Sequence, residues 1–258
     1  MVDRHYDNTG RSAENPPQVT QPSGFFFSLT DAQRNALLEL GSGCTYRAGQ
    51  VMMREGNPGR AVIIILAGLA KITALSEHGK EILLGFRGNG DLIGEMAVLS
   101  SERRSATVTA ATSLNGRLIL AESFVAYLER SPQVANRVSD IMASKLREAN
   151  RRRVEYSSYP VQCRVARELT ELALAFGHAE EDAWRIGPEI TQADLASLAA
   201  ASVRTIEKVL RAFESDGFVV RRRRDLIVTD IGALQARARC ESLIRPGRDR
   251  TSPADGKV

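Results

Sequence analysis

Two stretches of this 258-residue chain hold side chains whose types and spacing could do chemistry. The first runs Asp91-Leu-Ile-Gly94-Glu95-Met-Ala-Val-Leu-Ser-Ser-Glu-Arg103-Arg104-Ser105-Ala106. A glutamate accepts hydrogen bonds from sugar hydroxyls, and an arginine clamps a phosphate through paired N–H donors. A serine hydroxyl beside backbone N–H groups completes an anion nest. The interval between Glu95 and Arg104 leaves room for a turn or short helix over a sugar.

The second stretch is Ile190 to Phe218. Thr191 is a good N-cap with Asp194 three residues on, and Leu195, Leu198 and Ala199 follow on one helical face. The small run Ala199-Ala200-Ala201 lets two helices cross closely. Ser202 caps a second helix, whose apolar side carries Thr205, Ile206, Val209, Leu210 and Phe213 as far as Gly217, a C-terminal stop. Its outer side carries Val203, Arg204, Glu207, Lys208 and Arg211. The stretch reads as a helix-turn-helix, a motif whose second helix enters a DNA major groove by its N-terminal part. Arg204 and Lys208 are candidates for guanine edges, Val203 for a thymine methyl, and Ser202 and Thr205 for phosphates. The following FVVRRRRDLIVTD reads as a hairpin wing with Arg221, Arg222 and Arg223 against the phosphate backbone. From Arg204 to Arg224 there are seven basic residues against three acidic ones, a local excess that suits DNA.

The rest of the chain must position these groups. Its length predicts about two domains. A net charge of only +4 makes the location of charge the useful signal. Residues 1–23 are polar, with Pro16, Pro17 and Pro22, and read as a disordered leader. Residues 24–131 read as a compact β domain, a barrel or roll, after a short helix between Phe25 and Leu40 capped by Thr30 or Asp31. Ala61 to Leu66 is a buried strand there, and the turn Glu77–Lys80 tips a hairpin. Ser123 is expected to cap a helix ending before Pro132.

Residues 132–159 then form one long helix. Its stripe Ala135, Val138, Met142, Leu146, Ala149, Arg153 and Tyr156 reads as a coiled-coil-like seam for a homodimer. Arg151, Arg152 and Arg153 cannot all face a partner helix, so some must meet solvent or a bound anion. Pro160 ends the helix and marks a hinge, residues 160–235 form the DNA-binding domain, and residues 236–258 a fraying basic tail.

Several classes drop out. Cys44, Cys163 and Cys240 are far apart and odd in number, which argues against a disulfide framework or a zinc site and fits a reducing cytosol. The start lacks a signal-peptide pattern, and the apolar run Ala61 to Ala67 is far short of the ~20 residues that span a bilayer. The expectation is a cytoplasmic protein with no membrane partner. His5, His78 and His178 fall in predicted tail or loops, leaving no nucleophile or general-base constellation, so neither an enzyme nor a metal site is expected.

Phe26 to Ile231 resembles the cyclic-AMP receptor protein/Fnr family of bacterial transcription regulators. The resemblance rests on REGNPGRAVIIILAGLAKI, HGKEILLGFRGNGDLIGE, RRSATV, the long helix and ITQADLASLAAASVRTIEKVL. It implies an α+β architecture: an N-terminal cyclic-nucleotide-binding β-roll, a long dimerisation helix and a C-terminal winged helix-turn-helix. It implies that Gly94 and Glu95 face a ribose, Arg104 and Ser105 a cyclic phosphate, and that Lys145 lies near the phosphate. Ala149 and Asn150 match the Thr-Ser pair that reaches adenine in members that bind cyclic AMP. Ala149 has no hydroxyl, so base recognition departs from the family there, while Asn150 can still donate and accept. Val203-Arg204-Thr205 stands where Arg-Glu-Thr is usual, with Lys208 for a second Arg, so the family's usual operator does not carry over. The effector implied is a cyclic nucleotide, cAMP first and cGMP as an alternative, with no obligatory cofactor. Double-stranded DNA and a second copy are the partners, and RNA polymerase is a further one through the loop Phe176 to Pro188. The alternatives are a ligand-independent regulator with an altered pocket, and a scaffold that binds protein.

Overall fold

The computed structural model describes residues 24–187, 189–222 and 225–240. The leader 1–23, the wing-tip residues Arg223 and Arg224, and the tail beyond Cys240 lie outside the described residues.

The first domain opens with α1 (Asp31–Leu40), started by a capping box in which Thr30 and Gln33 satisfy each other's backbone N–H groups. Eight strands follow: β1 (Ser42–Tyr46), β2 (Val51–Met53), β3 (Ala61–Ala67), β4 (Ala70–Leu75), β5 (Glu81–Arg87), β6 (Leu92–Ile93), β7 (Thr107–Ala110) and β8 (Leu114–Leu120). They make two antiparallel sheets, ordered β1-β8-β3-β6 and β2-β7-β4-β5. Ile63 and Ile65 of β3 face the core between the sheets, with Met53, Ile93, Val108 and Leu114. Val62 and Ile64 face the other way, against Leu37 and helical residues described next. A strand buried on both faces reads as an unbroken apolar run, as this one does. The short helix α2 (Glu95–Leu99) sits between β6 and β7.

Helix α3 (Ala121–Arg130) follows β8 without a break, and its N-cap is Leu120, not Ser123. The expected serine cap is therefore corrected. The Ala121 N–H donates to the Arg60 carbonyl at 2.9 Å, so the edge of the roll serves a terminal amide that a cap would have served. Helix α4 (Pro132–Ser158) spans 27 residues, bracketed by Pro132 in its first turn and Pro160 after its end. Val134 and Val138 lock it onto Phe124 and Leu128 of α3. Val138 is 1% exposed and serves the chain's own packing, while Tyr156 is 41% exposed and donates its hydroxyl to the Leu198 carbonyl at 2.9 Å. Leu146, Ala149 and Arg153 stay exposed on α4, flanked by partly buried Ala135 and Met142.

The second domain holds α5 (Val161–Phe176), β9 (His178–Glu180), β10 (Ala183–Ile186), α6 (Gln192–Leu198), α7 (Val203–Ser215), β11 (Val219–Arg222), β12 (Asp225–Val228) and α8 (Ile231–Ala238). His178, expected in a loop, begins β9. The four strands pair in the order β11-β12-β10-β9. Leu169, Trp184, Leu198, Ile206, Leu210, Phe213, Val219 and Leu234 form the core. Two expectations fail at its far end. Residues 236–240 do not fray: Ala238 and Cys240 are buried, and Arg167 donates to the Ala238 carbonyl at 3.1 Å. Cys163 and Cys240 form a disulfide between the start of α5 and the end of α8, their Cα atoms 5.9 Å apart. Cys44 is a free, partly buried thiol whose pKa burial pushes up.

The arginine run of α4 binds within the chain. Arg151 pairs with Glu155 at 2.9 Å and Glu171 at 2.8 Å, and Arg167 also reaches Glu155. Arg152 pairs with Glu148 at 2.9 Å, approaches Glu168 at 3.4 Å and donates to the Leu84 carbonyl at 2.5 Å. Only Arg153 of the three stays exposed. Burial dominates at Glu168 and raises its pKa to about 7 against the pull of Arg152. A carboxyl raised on folding stabilises most when protonated, so its contribution is complete below the unfolded value of 4.5 and is lost as pH rises through about 7. Glu168→Gln should remove that dependence, about 3 kcal/mol between pH 4.5 and 8. Melting curves of both proteins across that range check this.

Candidate nucleic-acid interface and effector pocket

The helix-turn-helix is built as its sequence indicates. Thr191 and Asp194 form a reciprocal capping box that starts α6. Ala199-Ala200-Ala201 makes the turn, with Ala200 at a φ of 47°, and Ser202 accepts from the Thr205 N–H at 3.1 Å to start α7. Arg164, nearly buried on α5, fixes this turn from beneath. Its guanidinium donates to the carbonyls of Ala199 at 2.8 Å, Ala200 at 3.2 Å and Tyr159 at 2.6 Å. These include the carbonyls that the end of a helix leaves unmatched. Nothing in the sequence distinguishes Arg164 from the surface arginines around it.

Helix α7 divides cleanly. Ile206, Leu210 and Phe213 are at most 1% exposed, while Ser202, Val203, Arg204, Lys208 and Arg211 are exposed. Thr205 is half-buried, its hydroxyl 2.8 Å from that of Ser202. Arg204 and Lys208 are four residues apart, neighbours on one helical face. Gly217, at a φ of 77°, ends the helix in the left-handed conformation that glycine tolerates. The wing follows as the hairpin β11–β12, with Arg222 exposed opposite Asp225. Arg221 turns back onto α7 and binds Glu214 and Glu207.

The effector residues gather where α2, α4 and the roll meet. Gly94, at a φ of 86°, turns β6 into α2, and a Cβ there would lie 2.5 Å from the Arg104 guanidinium. Arg104 is 9% exposed and donates to the carbonyls of Gly94 at 2.7 Å and Ala61 at 2.5 Å. Burial lowers its pKa, and nearby Glu95 acts the other way. Glu95 is 2% exposed and takes a 2.7 Å ion pair from Lys145 of α4, which also donates to the Leu92 carbonyl at 3.3 Å. The resemblance placed Lys145 and Glu95 in one pocket, and here they bind each other directly. Ser105 and Asn150 are exposed. The donor set suits a sugar phosphate: a buried carboxylate, a buried guanidinium and a lysine bridging to the long helix. Its two strongest groups are held by partners inside the chain.

The recognition domain is also tied to the roll. Lys71 of β4 pairs with Asp194 of α6 at 2.5 Å, and Ser197 accepts from the Leu83 N–H of β5 at 2.8 Å. Leu69, Leu83 and Phe86 of the roll share a core with Leu169, Trp184 and Leu198. Among the described residues, no cluster of His, Cys, Asp or Glu could hold a metal ion, and no helix is long and apolar enough to cross a membrane.

Residues 44–131 match the family model for the cyclic nucleotide-binding domain, and residues 163–237 that for the Crp-like helix-turn-helix domain. A CRP-like cAMP-activated global transcriptional regulator of Mycobacterium tuberculosis is 26% identical over 222 residues, 86% of this chain and 99% of that protein. The cyclic AMP receptor protein of Thermus thermophilus is 30% identical over 176 residues, 67% of this chain and 77% of that protein. FixK2 of Bradyrhizobium japonicum has the same fold, with a TM-score of 0.68 at 18% identity over 76% of this chain and 96% of that one. A nucleotide-binding roll, one long helix and an outward recognition helix thus occur here in the order of these relatives, and the chain belongs to the Crp-Fnr family of transcription regulators.

Proposed function

We propose that this protein is a homodimer that binds double-stranded DNA through both copies of α7 and takes a cyclic nucleotide, cAMP first, in the roll. The observation that carries the DNA reading is the exposed Arg204–Lys208 face on a helix whose opposite side is fully packed. Leu146 and Ala149, exposed on α4 of the single chain, supply the seam for a second copy. A shared two-fold axis sets two recognition helices about one turn of DNA apart. Binding to random duplexes across a salt series tests this reading. A steep fall of affinity with salt supports it, and no binding at low salt refutes it.

Cyclic nucleotide binding adds to the bonds already made in the pocket. Arg104 gives two N–H donors to the Gly94 and Ala61 carbonyls and turns the rest of its fork to the phosphate, and Glu95, paired with Lys145 through Oε1, accepts a ribose hydroxyl as well. Because Lys145 rides on α4, a ligand that shifts Glu95 also acts on the long helix. The helix in turn reaches α5 through Arg151 and Arg152, and α6 through Tyr156. A ligand shifts this arrangement only by binding one state better than the other. Arg104→Ala should weaken cyclic nucleotide binding about 100-fold or more, through loss of a bidentate charged contact. Calorimetry with cAMP and cGMP, wild type against variant, measures it, and equal heats from both proteins would exclude the clamp.

A second reading is a regulator that needs no ligand. The internal bonds of Arg104 and Glu95 favour it, together with Ala149 where a purine-contacting hydroxyl would stand. It predicts no heat with either nucleotide and unchanged DNA affinity in their presence.

A further inference from the structure

Arg221 belongs by sequence to the basic wing, yet each of its three guanidinium nitrogens donates to a glutamate of α7. Nε and Nη2 donate to Glu214 Oε2 at 3.1 and 2.7 Å, and Nη1 donates to Glu207 Oε1 at 3.2 Å. Its backbone N–H lies 3.4 Å from Glu214 Oε1. Glu207 takes a further bond from Arg211 Nε at 3.1 Å. Glu207 and Glu214 are two helical turns apart on one side of α7, so the arginine spans them from the neighbouring strand. These hydrogen bonds hold both carboxyls below the usual carboxylate range and push the arginine up.

The placement matters because Glu207 lies three residues along the recognition helix from Arg204, a neighbour on the same face. An uncompensated carboxylate there would repel phosphates and weaken the field of Arg204 and Lys208. A single exposed ion pair contributes little, but a two-point guanidinium grip within a larger network holds geometry. We propose that Arg221 is a positioning residue for DNA binding and not a phosphate contact: it neutralises Glu207 and Glu214 and fixes the wing against the recognition helix. This rests on the DNA-binding reading above.

The test compares wild type, Arg221→Gln, Glu214→Gln, the double variant of these two, and the triple variant that adds Glu207→Gln. DNA affinity is read over a salt series, and thermal melting is followed without DNA. A positioning role gives Arg221→Gln about tenfold weaker binding at every salt concentration, with the slope of log K against log salt unchanged. Adding the two glutamines restores affinity to within about threefold, because the carboxylates that needed neutralising are gone. In the DNA-free protein, the melting shifts of Arg221→Gln and Glu214→Gln are less than additive when combined. A slope smaller by about 0.9, with no restoration, makes Arg221 a phosphate contact and overturns the proposal while leaving DNA binding intact. Additive melting shifts overturn it as well. A wild type that binds no duplex fails the functional reading, and the role of Arg221 with it.

Discussion

Replacing Arg204 and Lys208 together by alanine lowers specific DNA affinity by roughly two to four orders of magnitude, since each base contact contributes about 1–3 kcal/mol. The loss is confined to binding. Both side chains point away from the core formed by Ile206, Leu210 and Phe213, and Ser202 still caps the helix. Exposed substitutions of this kind usually shift stability by less than about 0.5 kcal/mol. Fluorescence anisotropy on a selected duplex, with melting curves as control, checks both halves. Each single variant should relax preference at its own base position in each half-site. Retained specificity in the double variant would move base reading to another surface.

The second large effect is expected at the seam. Leu146 is 62% exposed in the single chain, so Leu146→Glu leaves the monomer folded. Two copies meeting along α4 would bring two carboxylates into an apolar contact, where burying an unpaired charge costs several kcal/mol. Sedimentation should then show a dimer for the wild type and a monomer for the variant at the same concentration. DNA affinity should fall about 100-fold or more, because the second half-site no longer benefits from the effective concentration of a linked pair. A variant that stays dimeric would place the interface away from Leu146.

The residues that settle local structure are also those that made much of this chain legible. Helix α4 begins at Pro132 and stops just before Pro160, with no Gly or Pro between, so steric rules alone bound it. Thr191, Asp194, Ser202 and Gly217 act within a few residues of themselves, and all four do locally what their types indicate. The unbroken apolar run of β3 announced a strand covered on both sides. What stayed hidden depends on partners distant in sequence. Lys71 and Asp194 are 123 residues apart, and Cys163 and Cys240 are separated by 77. No periodicity links such pairs.

The pocket was half legible for the same reason. The types Gly94, Glu95, Arg104 and Ser105 identify the chemistry, but the direction of Arg104 toward the Gly94 and Ala61 carbonyls follows from how β3 passes beneath it. In the wing, four successive arginines read as one phosphate-binding run. Glu207 and Glu214 draw Arg221 out of that run, because a carboxylate at hydrogen-bond distance outcompetes solvent for a guanidinium. Ser123 misled because a serine before a helical stretch is a good cap only when the chain enters the helix from a loop. Here β8 enters it directly.

The most direct measurement is a guanine N7 protection footprint on a selected duplex, with the stoichiometry of the complex taken from sedimentation of the same sample. Two copies straddling one duplex give two chains per DNA and two protected patches about 10 base pairs apart, both lost with Arg204→Ala. One chain per duplex, a single patch, or protection that survives Arg204→Ala would contradict a dimer that presses the Arg204–Lys208 faces into successive major grooves.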